Sequence, residues 1–293
     1  MSINEVKLLN KKENIFGDNI AYIENWDFSH ANLNQETRIN AITQVASVCY
    51  QNPKALNSDS LYNRLMAESI GLTSSSFEFV PVLLDPTKPE HNLLLGRIDS
   101  NVRKFGEFIE DNSKSYLLTN YRAVIYDFEK RTENMNEETK DSIRDSYLKL
   151  YNTKEECAII AKHFRVFRYN VDLPTRSQMV RHRASWQELS RRYVSGKRVS
   201  FDFYISEKMK DIYSVYGSTQ KIIDMCLEHY YTALDNGVKP EEARRIIPQA
   251  AYTNVWAAFM PMHLDNYFKL RLDSHAQWEI RQTAIAMDEL LKQ

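Results

Sequence analysis

The stretch Arg181-His182-Arg183-Ala184-Ser185-Trp186-Gln187-Glu188-Leu189-Ser190-Arg191-Arg192-Tyr193 packs four arginines into thirteen residues. Arginine at such density suits phosphate or carboxylate, which its planar guanidinium grips bidentately. Working outward, Arg165 to Arg198 holds nine basic residues against two acids, Asp172 and Glu188, an excess of seven in a chain of formal net charge −1. Eight of those nine are Arg, where a merely solvated face would carry more Lys. The pattern points to a site for a polyanionic small molecule. Gln178, three residues before Arg181, is expected to share a helix face with it and offers both a donor and an acceptor to a pyrimidine edge. Ser190 and Arg192 are phosphate-type groups, and Glu188 can orient one of the arginines. Ser190 lacks the G-x-S-x-G turn and an evident base, which argues against a hydrolase nucleophile. His182, between two arginines, has its cationic form disfavoured and suits a neutral hydrogen-bonding role.

The rest of the chain narrows the class. Its 293 residues are 43% hydrophobic and 26% charged, which excludes a disordered chain, a collagen-like chain and a coiled-coil rod. The balanced charge gives no global field toward nucleic acid or an anionic membrane. With 7 glycines, none in a G-x-G-x-x-G or Walker-type spacing, a Gly-rich nucleotide-binding turn is excluded. The 3 cysteines, Cys49, Cys157 and Cys226, form no C-x-x-C pair, against a thiolate zinc site or a disulfide framework. The start lacks an apolar core, and no run approaches the roughly 20 residues of a membrane span. A reduced, cytoplasmic protein is the expectation.

Periodicity and breakers divide the chain further. The first 35 residues, polar and Asn-rich, read as a loose arm or an edge strand. Helices are expected over Thr37–Tyr50 and Asp59–Ile70, the second stopped by Gly71. Phe77–Leu84 reads as a strand, with Pro81 placing it at an edge. Residues 85–155 read as an inserted, partly structured excursion within a single domain over 1–293, with a helix at Glu137–Tyr151. Ala158–Val171 is the clearest strand, with Phe167, Tyr169 and Val171 on one face. A helix over Thr175–Arg183 and a strand over Val199–Ile205 follow. The remainder reads as helical: Ser218–Leu234, stopped by Asn236-Gly237, then Leu264–Leu270 and His275–Leu291. Few strands among many helices imply an α+β fold, a mixed sheet with flanking helices.

Three ordered blocks resemble the flavin-dependent thymidylate synthases. Arg181-His182-Arg183 followed by Ser190-Arg191-Arg192-Tyr193 is similar to the family's Arg-His-Arg…Ser-x-Arg-Tyr fingerprint, one residue shorter in its spacer. Arg244 to Pro248 is similar to its Arg-x-x-x-Pro. Asn266-Tyr267-Phe268-Lys269-Leu270-Arg271 with Ser274 to Ile280 is similar to its Asn-Phe-x-x-Leu-Arg…His-Ala-Gln-x-Glu-Ile block. The resemblance covers 158–293 well and 37–84 loosely; 85–155 looks inserted. It departs in two further places. Gly71 to Phe79 keeps Glu78 but lacks the two family histidines, and Met260-Pro261-Met262 replaces an Asn-x-Arg pair.

The resemblance implies reductive methylation of dUMP at C5. FAD would be the cofactor, NADPH and methylenetetrahydrofolate the co-substrates, and no protein nucleophile is needed. It implies that Gln178, Glu188, Ser190, Arg191, Arg192, Arg244 and Arg271 bind the nucleotide, with Gln178, Arg192 and Arg271 closest to the chemistry. Ser75, Glu78, Arg181, His182, Arg183, Asn266 and His275 would line the flavin. It also implies a homotetramer with shared sites. The apolar residues Val255, Trp256, Phe259, Met260, Tyr267 and Phe268, read as part of a helical C-terminal region, favour such contacts. A divergent member acting on another pyrimidine nucleotide is the first alternative. A nucleic-acid-binding module is disfavoured by the scarcity of Lys and by Glu188 amid the arginines.

Overall fold

The computed structural model describes residues 21–22, 31–69, 74–96 and 101–292. Chain order runs β1 (Ala21–Tyr22), α1 (Gln35–Tyr50), α2 (Asp59–Ser69), β2 (Pro81–Leu84), β3 (Glu107–Asp111), β4 (Lys114–Asn120), α3 (Tyr121–Thr132), α4 (Glu137–Leu148), α5 (Lys154–His163), β5 (Arg165–Asp172), α6 (Leu173–Met179), β6 (Ser185–Glu188), β7 (Tyr213–Ser214), β8 (Gly217–Ser218), α7 (Thr219–Asp235), β9 (Tyr252–Phe259), α8 (Pro261–Arg271) and α9 (Trp278–Leu291), with single-turn helices between them.

The sheet that positions the arginine-rich segment has the order β1-β5-β9-β6. Strand β9 pairs with β5 from Arg165↔Phe259 to Asp172↔Tyr252, and with β6 from Ser185↔Ala258 to Glu188↔Val255. Alternation along these strands feeds two cores. Val166, Trp256 and Ala258 join one. Phe167, Tyr169, Val171, Val255, Ala257 and Phe259 join the other, against Leu264 and Tyr267 of α8 and Ile280, Ala284 and Met287 of α9. Both faces being covered, β9 is a nearly continuous apolar run, Val255-Trp256-Ala257-Ala258-Phe259.

The α+β class holds, while the sheet is antiparallel at every pairing among the described strands rather than mixed. Strand β9 stands where the sequence reads as helical, since a short apolar run buried on both faces lacks a period-2 signal. Its burial also removes the apolar-surface case for association: Val255, Trp256, Phe259, Met260 and Tyr267 are interior residues. Strand β5 begins at Arg165, because Thr153 and Glu156 form a capping box that starts α5 and turns residues 154–163 helical. Of the strand expected over Phe77–Leu84, the first part is a 3-10 turn, Ser75–Phe79; Pro81 then opens β2 at the edge of a three-stranded sheet ordered β2-β4-β3. Val199–Ile205 forms one isolated bridge, Phe203↔Ala251.

The partly structured excursion expected over 85–155 is corrected by its packing. Leu94, Val102, Leu117, Leu118, Val124, Phe128 and Tyr147 are buried in the same core as Val166 and Trp256. Polar surface residues on β3 and α4 hide this inward face in the composition. The segment is also pinned by Arg38 of α1, fully buried. Its Nε donates to Asn32 at 2.8 Å, its terminal nitrogens reach the carbonyls of Leu148 and Leu150, and its guanidinium lies 3.8 Å from the Tyr121 ring centroid. Helix α1 carries the expected inward face and starts on Asn34, whose side chain accepts from Thr37 N–H. Within the Asn-rich start, Ala21–Tyr22 forms the edge strand β1, paired with Phe167 and Arg168. The stop expected at Gly71 lies outside the described residues.

Candidate active site

The arginine-rich stretch is two structures in series. Ser185 to Glu188 is strand β6, and a tight turn begins at Ser190, whose carbonyl accepts from Tyr193 N–H at 3.1 Å and Val194 N–H at 2.9 Å. The turn is tied to the end of α1 by Ser190 N–H donating to the Cys49 carbonyl at 3.0 Å. Gly196 packs where a Cβ would meet the Tyr231 hydroxyl at 2.8 Å and the Phe201 ring at 2.9 Å, and its N–H donates to the Tyr230 hydroxyl at 2.9 Å.

Between this turn, α6 and residues 244–253 lies a cleft of about 480 Å³. Glu188, Ser190, Arg191 and Arg244, from the expected nucleotide set, line it together. Arg176 and Thr253 complete it and were not singled out from the sequence. Arg176 donates from Nε to Glu188 Oε2 at 2.8 Å and from a terminal nitrogen to the same oxygen; Thr253 Oγ1 donates to Glu188 Oε1 at 3.0 Å. Glu188 thus orients an arginine, as expected, and the arginine is Arg176. Arg191 is turned largely inward. It donates to the carbonyls of Val199 and Ser200, stacks over Phe201 at 4.0 Å, and leaves a buried Nε without a partner among the described residues.

Cys49 also lines this cleft. Burial pushes its thiol up, and Gln187 Nε2 donates to its sulfur at 3.1 Å. Gln187 in turn accepts from Ser75 Oγ at 2.7 Å, so Ser75, expected at the flavin, is engaged with β6.

Gln178 and Arg271 stand elsewhere. Two residues along a helix turn it by about 200°, so Gln178 faces away from Arg176 on α6. Its Nε2 donates to Gln277 Oε1 at 2.6 Å. Arg271, last residue of α8, donates from Nε to His182 Nε2 at 2.7 Å. Arg181 follows the end of α6 instead of sharing a helix face with Gln178, because the helix stops at Met179 and His182 N–H closes a turn onto the Met179 carbonyl. Arg192 is exposed and paired with Glu241 at 2.9 Å. Arg181, Asn266 and His275 are exposed, His275 bonded to Asp273 at 2.8 Å.

A second cavity, about 520 Å³, separates α3 and the residues around Lys104 from β9 and the start of α8. Glu78 and Arg183 of the expected flavin set line it. Arg122 pairs with Glu78, and Glu107 accepts from Met262 N–H at 2.9 and 3.1 Å. Phe105 and Tyr126 form an aromatic pair 6.2 Å apart on one wall, with Met260, Met262 and Phe164 among the apolar lining. His263 borders the cavity; burial and then the Arg183 charge hold its imidazole below the ordinary histidine range. Among the described residues no cluster of His, Cys, Asp and Glu could hold a metal ion, and no helix is long and apolar enough to cross a membrane.

Residues 109–293 match the family model described as thymidylate synthase complementing protein, Thy1. A flavin-dependent thymidylate synthase of Pyrococcus furiosus is 36% identical over 115 residues, 38% of this chain and 47% of its own length. One from Thermotoga neapolitana is 33% identical over 172 residues, 54% of this chain and 76% of its own. The chain therefore spans about half the length of the first relative and about three quarters of the second. Among solved structures, a UMP/dUMP methylase, PolB, from Streptomyces cacaoi bound with 5-Br UMP aligns at a TM-score of 0.37 and 25% identity, over 43% of this chain and 67% of its own. With the family model matched over more than half of its length, the chain belongs to the flavin-dependent thymidylate synthase family.

Proposed function

We propose that the protein is a flavin-dependent thymidylate synthase that methylates dUMP at C5, with FAD as cofactor and methylenetetrahydrofolate and NADPH as co-substrates. The carrying observation is the cleft in which Arg176 and Thr253 engage both oxygens of Glu188 while Ser190, Arg191 and Arg244 face the same space. With Glu188 already partnered, the cleft keeps arginine charge in excess for a phosphate, and the polar edge of Glu188, Ser190 and Thr253 suits a sugar or base.

The second cavity fits a flavin. Tyr126, Phe105, Met260 and Met262 offer flat and polarisable walls, and Lys104, Arg122 and Arg183 offer cations for its phosphates. When bound, the reduced flavin supplies the hydride and activates the pyrimidine, so that the protein needs no thiolate. This chain's residues then bind and orient: Arg183 and Lys104 hold the cofactor, Arg176 fixes Glu188, and Arg244 and Ser190 fix the nucleotide. Cys49, whose thiol burial pushes up and Gln187 engages, is on this reading a packing residue of the cleft.

Gln178 and Arg271 belong, on this reading, to the cleft of a second copy, in a homotetramer with shared sites and a cytoplasmic setting. Their place on the side of α6 opposite Arg176 supports it. Mixed assemblies of Arg271→Ala and Glu188→Ala chains should regain activity that neither variant shows alone; no recovery in verified mixed oligomers rejects sharing. The reaction is tested by incubating the protein with FAD, NADPH, methylenetetrahydrofolate and dUMP and separating the nucleotides. Formation of dTMP is expected. Turnover of UMP or a cytidine nucleotide in its place would favour a divergent family member.

A further inference from the structure

His182 is held at four points. Its N–H donates to the Met179 carbonyl at 3.0 Å, and its own carbonyl accepts from the Trp186 indole at 3.2 Å. Its ring meets the Tyr267 ring nearly edge-on at 4.8 Å, and its Nε2 accepts the Arg271 Nε–H at 2.7 Å. The side chain is buried, although the arginine-rich fingerprint around it is open to solvent. This mount faces the last turn of α8, and His182 is not among the residues lining the cavity beside Arg183. Among the described residues, the side-chain hydrogen bond of His182 is the one it accepts from Arg271.

The geometry points to His182 as a positioning residue that fixes the Arg271 guanidinium by its Nε edge; with Nη2 reaching the Gln178 carbonyl at 3.5 Å, Nη1 is the edge aimed to donate to a nucleotide oxygen. The inference rests on the nucleotide reading of Arg271. An acceptor at Nε2 requires a neutral ring carrying its proton at Nδ1. Burial, and then the Arg271 charge, hold His182 below the ordinary histidine range, which keeps that form in place at neutral pH. The groups that face it agree. Tyr267, on the same helix as Arg271, stays a neutral phenol because burial pushes it up. Gln178, against Arg271, and its partner Gln277 are uncharged, and the flanking Arg181 and Arg183 are exposed to solvent. Protonation would turn Nε2 from acceptor to donor and set two cations edge to edge. Arg271 would then lose its anchor, and the nucleotide its preset partner.

The test is dUMP affinity by calorimetry from pH 5.5 to 8 in wild type, His182→Gln and His182→Phe. Gln places an acceptor near the Nε2 position at every pH, whereas Phe keeps the ring contact with Tyr267 but offers no acceptor. At pH 7.5 the Phe variant is expected to lose about tenfold in affinity and the Gln variant less than about threefold. On acidification wild type should lose more affinity than His182→Gln, a difference that cancels the titration of the dUMP phosphate common to both. Adding His182→Phe to Arg271→Ala should cost nothing further, since a positioning residue acts only through what it positions. Wild-type affinity in the Phe variant, an equal acid loss in wild type and the Gln variant, or full additivity of the double mutant overturns the role of His182. Failure of wild type to bind dUMP at any pH removes the nucleotide reading itself, and this inference with it.

Discussion

In the Glu188 cleft the single carboxylate is tied by Arg176 and Thr253, and the remaining lining keeps a surplus of arginine. In the cavity beside Arg183 two carboxylates are each spent locally, Glu78 on Arg122 and Glu107 on the N-terminus of α8, and the walls are aromatic and thioether. Both regions thus satisfy their acids internally. What differs is what is left over: polar edges and arginines in the cleft, flat apolar surface with a few cations in the cavity. The first suits a small phosphorylated base, the second a large planar ring system, and one chain assembles both around the two ends of β6.

Removing the centre of the cleft separates the two regions most sharply. Glu188→Ala deletes three hydrogen bonds, two from Arg176 and one from Thr253, and releases Arg176. At about 1.5–3 kcal/mol for a charge-assisted bond, dUMP affinity should fall by roughly tenfold to a hundredfold, while FAD affinity changes by less than about threefold. Calorimetry with each ligand separately reads both. Comparable losses for the two ligands would merge the regions into one site.

The converse variant, Arg183→Ala, should weaken FAD by about tenfold and leave dUMP within about threefold. Fluorescence titration of FAD measures the first. Lys104→Ala, at an exposed rim position, should weaken FAD less than Arg183→Ala does.

Acid should loosen the cavity side before the cleft side. His263 lines the cavity, His163 feels the charge of the cavity residue Glu107, His182 bonds Arg271, and His91 accepts from Asp85 N–H at 2.8 Å. Burial is the first cause holding all four below the ordinary histidine range of about 6.5. Between that range and their lower folded values the unfolded chain binds more protons, so their stabilisation is complete above the ordinary value and declines as pH falls through this window. Glu107 and Asp172, both pushed up by burial, act in the opposite sense, closer to the carboxylate range. The urea midpoint should therefore fall between pH 7.5 and 5.5; a constant midpoint contradicts the burial of these rings.

The smallest effect is expected at Cys49. As a thiol held by Gln187, it contributes shape to the cleft rather than chemistry, and Cys49→Ser should keep turnover within about threefold. Loss of turnover with normal dUMP affinity would make it a reacting group.

The contrast also explains what could be read without coordinates. Cleft residues come from two short blocks, 173–191 and 244–253, with Cys49 and Phe201 added, so the density of arginine beside Glu188 and Ser190 was visible in linear order. Arg176 escaped notice because it lies upstream of the dense block, and only strand β6 brings Glu188 back to it. The cavity draws on Glu78, residues 104–126, Phe164, residues 183–185 and residues 258–263, a set brought together by topology alone. Helix α1 was legible from the three- and four-residue spacing of Ile39, Ile42, Val45 and Ala46, and the face alternation of β5 because Arg168 and Asn170, half-buried, alternate with the buried Phe167, Tyr169 and Val171. Strand β9 was not, since burial of both faces erases the period that distinguishes strand from helix. Nor was the inward role of 85–155, whose core residues are diluted by charged neighbours on α4 and β3.

On the proposed function the cleft and the cavity serve one reaction, the nucleotide in the first meeting the flavin in the second. The most direct measurement is the visible absorption spectrum of the FAD-loaded protein during titration with dUMP. Wild type should show a saturable change in the flavin bands, Glu188→Ala should require at least about tenfold more dUMP for the same change, and Cys49→Ser should behave as wild type. Tight dUMP binding that leaves the flavin bands unmoved, or failure to take up FAD at any concentration, would contradict it.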